Sequence, residues 1–124
     1  MSATMTRERI AAFGAALNAH DSDLVMSFFS NDCVYHASFG PELLGTSHAG
    51  RAAIRNAVQA SFDRFPDGCF EDFDIMVAGD TGTFEWTFVT TDEAGNAVRA
   101  RGVDLFEFAG DRIRIKNTFR KHRT

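Results

Sequence analysis

The chain has 124 residues, 44% of them hydrophobic and 24% charged, with a formal net charge of -4; this is enough for one core-bearing domain over residues 1–124. The acidic balance, with no basic block before Arg120-Lys121-His122-Arg123, argues against nucleic acid as a partner. No apolar run approaches a membrane span or a signal peptide, and Cys33 and Cys69 lack a metal-type spacing, so free buried thiols and a cytoplasmic setting are expected.

A first helix is predicted over residues 5–19, with Thr6 as its cap and Ile10, Phe13, Ala16 and Leu17 as an apolar stripe. Asp21 or Asp23 starts a short second helix over 24–29, and Ser30-Asn31-Asp32 reads as a turn. Residues 33–39 form a short strand that Gly40-Pro41 ends, and a loop follows to Ser47. A third helix starts at His48 or Gly50 and runs to Arg64, with Ile54, Val58, Phe62 and Phe65 toward the core and Arg51, Arg55, Gln59 and Asp63 outward. Four strands, 70–78, 82–91, 97–108 and 112–120, are joined by three hairpin-type connections. Helices followed by strands make an α+β fold, a curved antiparallel β-sheet wrapped around N-terminal helices, with Gly102 helping the bend.

The last two strands hold the sharpest anomaly. Alternation places Gly102, Asp104, Phe106 and Phe108 on one face, and Ile113, Ile115, Asn117 and Phe119 on the matching face of the next strand. If the aromatic faces point at the core, Asp104 and Asn117 are buried polar groups that must be paired or used. Lys116 and Arg101 then lie on the opposite, solvated or dimer-facing side. Low dielectric disfavours the charged form of a carboxylate placed like Asp104, which suits it to proton transfer near neutral pH. The alternative is an Asp paired to a helix cap, an Arg or a partner subunit. His36 can assist at a carbonyl oxygen or be a core histidine bonded to backbone. It and Tyr35 occupy opposite faces of a regular strand, so only one lines a pocket. Asn117 either meets a ligand carbonyl or satisfies Asp104. His20 and His48 read as surface groups, and no metal site is expected. The 13 Phe against one Tyr and one Trp fill a core or line an apolar cavity. The mixed outer face, with Val103, Leu105, Val89 and Ile75 or Val77, suits a two-fold dimer.

The element order resembles the nuclear transport factor 2-like superfamily. Residues 34–54, V-Y-H-A-S-F-G-P-E-L-L-G-T-S-H-A-G-R-A-A-I, the Trp86 strand, and residues 102–113, G-V-D-L-F-E-F-A-G-D-R-I, are similar to its SnoaL-like, polyketide cyclase-like group. The resemblance implies a cone-shaped α+β domain, a homodimer, and a pocket holding an acid-base Asp or His. It also implies an aromatic lining drawn from Tyr35, Phe13, Phe39, Phe62, Trp86, Phe88, Phe106 and Phe119. The ketosteroid isomerases of the superfamily carry a general-base carboxylate on the first strand, where Tyr35-His36-Ala37-Ser38 has none. Its epoxide hydrolases carry an Arg-x-Asp pair where Trp86 and Phe88 stand here. The expectation is therefore a cofactor-free isomerase, cyclase or dehydratase acting on a small apolar carbonyl compound, with Asp104 as general acid or base and His36 assisting. The alternative is a non-catalytic ligand-binding or dimerisation domain.

Overall fold

The computed structural model describes residues 3–123. Helix α1 (Arg7–Asn18) starts where the Thr6 hydroxyl accepts the Arg9 N–H at 3.1 Å, and its stripe of Ile10, Phe13, Ala16 and Leu17 is buried. Asp21 caps α2 (Ser22–Met26) in the same way, accepting the Leu24 N–H at 3.1 Å. The chain leaves this helix earlier than its apolar run suggests, and Phe29 already begins strand β1 (Phe29–His36). The expected turn at Ser30-Asn31-Asp32 instead lies inside β1, where Ser30 Oγ donates to Asp32 Oδ1 at 2.8 Å and the pairing register shifts. Ala37, Ser38 and Phe39 fall beyond the strand.

A short strand not foreseen in the sequence, β2 (Ser47–Ala49), folds back antiparallel on the end of β1. The turn that returns it uses Gly45 at φ 73, where an added Cβ would strike backbone. Helix α3 (Arg51–Arg64) follows Gly50 and buries Ile54 and Phe62. Arg51, expected outward, turns back to donate to the Phe29 and Met26 carbonyls at 2.7 and 3.0 Å, tying α3 to the α2–β1 junction.

Strands β3 (Cys69–Ala78), β4 (Thr81–Thr91), β5 (Ala97–Ala109) and β6 (Arg112–Arg120) form the expected meander, and the sheet order is β2-β1-β6-β5-β4-β3. All neighbours are antiparallel except β1 with β6, which run parallel. The helices pack on one face of this curved sheet. Phe13 of α1 is the hub, edge-on to Phe28, Phe29, Phe84 and Phe106 at centroid distances of 5.6 to 6.4 Å. Cys33 and Cys69 are free thiols.

In β5 the expected faces hold: Gly102, Asp104, Phe106 and Phe108 are all buried. In β6 they hold only at its start. Phe108 pairs with Ile113 but Glu107 with Ile115, so Arg114 is an extra residue and the strand bulges. Beyond the bulge the parity is reversed. Lys116 and Thr118 pair with Phe106 and Asp104 on the inner face, while Asn117 and Phe119 pair with Leu105 and Val103 on the outer one. Phe119 is consequently 51% exposed. Uninterrupted alternation would have faced Asp104 with Asn117 and Phe119. The bulge instead supplies a hydroxyl and an ammonium to a buried carboxylate, which is costly to bury unless it is paired. The outer face differs from expectation at β3 as well: Ile75 and Val77 pack against the core and Met76 points out, 67% exposed.

Candidate functional site

Between the inner face of the sheet and helices α1 and α3 lies a cavity of about 400 Å³. Phe13 and Leu17 of α1, Ile54, Val58 and Phe62 of α3, and Phe65 after it form the helical wall. Trp86 and Phe88 of β4 and Phe70 of β3 form the sheet wall, with the Phe70 ring centre 5.0 Å from that of each of the other two. Tyr35 and Phe39 close the β1 side. These aromatic contacts follow from the period-two alternation of β4, which puts Phe84, Trp86 and Phe88 on one face.

Asp104 and Lys116 form the polar end of the cavity. Asp104 is 1% exposed and its carboxylate is held on both oxygens: Trp86 Nε1–H donates to Oδ2 at 3.2 Å, and the Thr118 hydroxyl donates to Oδ1 at 2.6 Å. Lys116 Nζ lies 3.2 Å from the same Oδ1 and also donates to Thr118 Oγ1 at 2.8 Å. Its ammonium sits 4.4 Å from the centre of the Tyr35 ring, a cation–π contact. Parallel pairing of β1 with β6 sets Tyr35 beside Lys116. Burial pulls the lysine pKa down, but the Asp104 carboxylate, the Tyr35 side chain and the hydrogen bond to Asp104 outweigh it, and the net direction is upward. Lys116 is therefore an ammonium at neutral pH. Its three N–H groups exceed its two hydrogen-bond partners, leaving one for an incoming oxygen acceptor.

Of the residues expected at a site, Asp104, Tyr35, Phe13, Phe39, Phe62, Trp86 and Phe88 line the cavity. Phe106 is buried in the core beneath it, packed on Phe13 and Phe108. His36 and Asn117 do not enter: they pair with each other on the outer face, where His36 Nδ1 lies 2.7 Å from Ser47 Oγ. Phe119 is outward for the same reason of parity. Lys116 and Thr118 are the functional groups that reading β6 as a regular strand missed. His20 is a third. Rather than a surface group, it lines the cavity, stacked on Phe62 at 4.5 Å with Nε2–H donating to the Gly68 carbonyl at 2.7 Å. Its positive φ of 54° turns it there, and the helix-ending Asn18-Ala19-His20 was the only signal in the sequence. Among the described residues, no group of three or more His, Cys, Asp and Glu is placed to hold a metal ion.

The architecture is nuclear transport factor 2-like, a fold whose sheet and helices enclose a small-molecule cavity. Within it the chain belongs to the SnoaL-like domain family, which matches residues 10–115. No curated protein matches the sequence at a significant level. Among solved structures, the chain is similar to a nuclear transport factor 2-like protein of unknown function from Mesorhizobium loti, 28% identical over 93% of this chain and 89% of that one, with a TM-score of 0.74. It also resembles the epoxide hydrolase/cyclase-like enzyme SalBIII of pyran ring formation in the polyether salinomycin, 18% identical over 93% and 89% of the two chains, at a TM-score of 0.78. A cystatin-like-fold protein of unknown function from Xanthomonas campestris is 18% identical over 96% and 92%, at 0.77.

Proposed function

We propose that this protein binds a small, largely apolar carbonyl compound and catalyses proton transfer on it, as a cofactor-free isomerase, cyclase or dehydratase. The observation that supports this reading is the Asp104–Lys116 pair at the end of an aromatic cavity. A buried ion pair contributes little to stability relative to apolar packing, so its presence here needs a further reason. In the proposed mechanism the Lys116 ammonium donates its remaining N–H to the carbonyl oxygen and stabilises the enolate that develops there. Asp104 accepts the proton from the adjacent carbon and returns it at the new position. As Nζ shifts toward the substrate oxygen, the carboxylate is left to its two other donors. Thr118 and Trp86 keep it oriented.

The test is deuterium incorporation from solvent next to the carbonyl in a panel of aryl and alkyl ketones, followed by NMR. Asp104→Asn is expected to lower exchange by about 10²–10⁴-fold while ligand binding, read from the fluorescence of the single tryptophan, Trp86, is retained. Exchange unchanged in the variant removes Asp104 from the mechanism. A second reading, a binding domain without chemistry, is favoured by the three donors already engaged on the Asp104 carboxylate. Saturable ligand binding with no exchange in the wild-type protein would select it.

We further propose a cytoplasmic homodimer joined through the outer sheet face. Leu105 and Phe119, 42% and 51% exposed, are adjacent to one another on that face and support this assembly.

A further inference from the structure

The basic run at the end of β6, which the reaction above does not use, ends at the mouth of the cavity. Arg120, Lys121 and His122 line it together with Arg64, the last residue of α3, and all four are exposed. Arg64 Cζ lies 5.1 Å from the Phe65 ring centre and Arg120 Cζ 5.9 Å from that of Phe88, while the two rings meet edge-on at 5.5 Å. The two guanidinium groups therefore flank one aromatic pair. Among the described residues, Asp104 is the sole carboxylate lining the cavity, and Lys116 pairs with it. No carboxylate lies within 4.0 Å of the Arg64, Arg120 or Lys121 charge among the described residues. Asp63 and Asp67, close to Arg64 in sequence, accept from Gln59 and from Thr90 and the Thr91 N–H, and neither forms an ion pair with Arg64 or Arg120. A chain of net charge -4 thus presents, at the opening of an apolar hollow, basic groups that form no ion pair among the described residues. Such groups concentrate anions at the opening, and the guanidinium fork matches carboxylate and phosphate oxygens.

We propose that the ligand is an anionic amphiphile. Its apolar carbonyl-bearing body enters the cavity, and a carboxylate or phosphate group stays at the mouth on Arg64 and Arg120, with Lys121 adding to the field. This rests on the cavity being a ligand site, as argued above, and names the class of molecule it takes.

The test compares three probes that share one body, 4-oxo-4-phenylbutanoate, its methyl ester and 4-oxo-4-phenylbutyl phosphate, titrated calorimetrically at low ionic strength. The anionic probes are expected to bind about tenfold more tightly than the ester, and the difference to shrink in 0.5 M salt. In the Arg64→Gln/Arg120→Gln double variant the anionic probes are expected to lose this advantage and bind no more tightly than the ester. The tighter of the two anions tells a carboxylate ligand from a phosphate ester. Equal binding of ester and acid by the wild-type protein overturns this inference and leaves the cavity reading standing. So does a preference that survives in the double variant, which would place the anion on Lys116 instead. Failure of all three probes to bind removes the cavity reading and this inference with it.

Discussion

Lys116 is held by one carboxylate, one hydroxyl and one aromatic ring, and only 13% of its side chain reaches solvent. Removing it leaves Asp104 as a buried, uncompensated charge, so Lys116→Met is expected to lower stability by about 3–5 kcal/mol in denaturant titration. The Asp104→Asn/Lys116→Met double variant should regain much of that loss, since neither charge is left unpaired. Because the folded-state pKa of Lys116 is raised above the ordinary 10.5, its contribution is complete below that value and is lost as pH rises through the higher folded value. The melting temperature of the wild-type protein should fall on that alkaline limb, and Lys116→Met should remove the fall. Asp67 behaves in the opposite sense. Hydrogen bonds from Thr91 and Thr90 hold its carboxyl down at about 2 against an ordinary 3.8. Its contribution is present above pH 3.8 and disappears as pH falls toward about 2. Asp67→Asn should flatten the acid limb of the melting profile in that interval.

At the scale of elements, the contact that decides the site is Trp86 against Gly102. These residues are register partners on β4 and β5, and a Cβ on Gly102 would come within 2.6 Å of Trp86 Cζ3 and 2.7 Å of the Phe119 carbonyl oxygen. The bare glycine lets the indole lie across β5 and reach Asp104, two residues along. Gly102→Ala is expected to cost about 1–3 kcal/mol and to displace the indole N–H resonance of Trp86, as seen by NMR. A silent spectrum would show that the strand yields instead.

The elements were largely readable from sequence because their signals are local: Thr6 and Asp21 as caps, the stripe on α1, the hairpin turns, and the alternation of β4 and β5. The inward aspect of Asp104 followed from that alternation, which nothing interrupts in β5. Lys116, Thr118, Asn117 and Phe119 were misplaced because one residue, Arg114, resets parity in β6. A bulge depends on what the partner strand must satisfy, and here the demand comes from Asp104, a residue on another strand. The β2 pairing and the inward turn of His20 were hidden for a similar reason, since each depends on tertiary contacts with no trace in local spacing.

For the molecule as a whole, the outer sheet face combines exposed apolar groups with ion pairs such as Arg101–Glu85 and Arg114–Glu107. The proposed dimer predicts that Leu105→Arg/Phe119→Asp shifts light-scattering mass from two protomers to one without loss of secondary structure by circular dichroism. A monomeric wild-type protein would rule that assembly out. The cavity opens on the other side of the sheet, so the variant should still bind ligand.

The strand order also carries a consequence in time. Strand β6 lies between β1 and β5 within the sheet, yet it follows the sheet's other five strands in sequence. During synthesis, β1 and β2 emerge early and wait for the neighbour that will anchor them, while β3, β4 and β5 can already pair among themselves. The two parts of the sheet are hydrogen-bonded to each other only when residues 112–120 clear the ribosome, and Lys116 arrives with them. The candidate site and the sheet are thus completed in the same event, so a nascent chain stalled before β6 is expected to leave β1 and β2 unpaired with the rest of the sheet and to lack the Asp104–Lys116 pair.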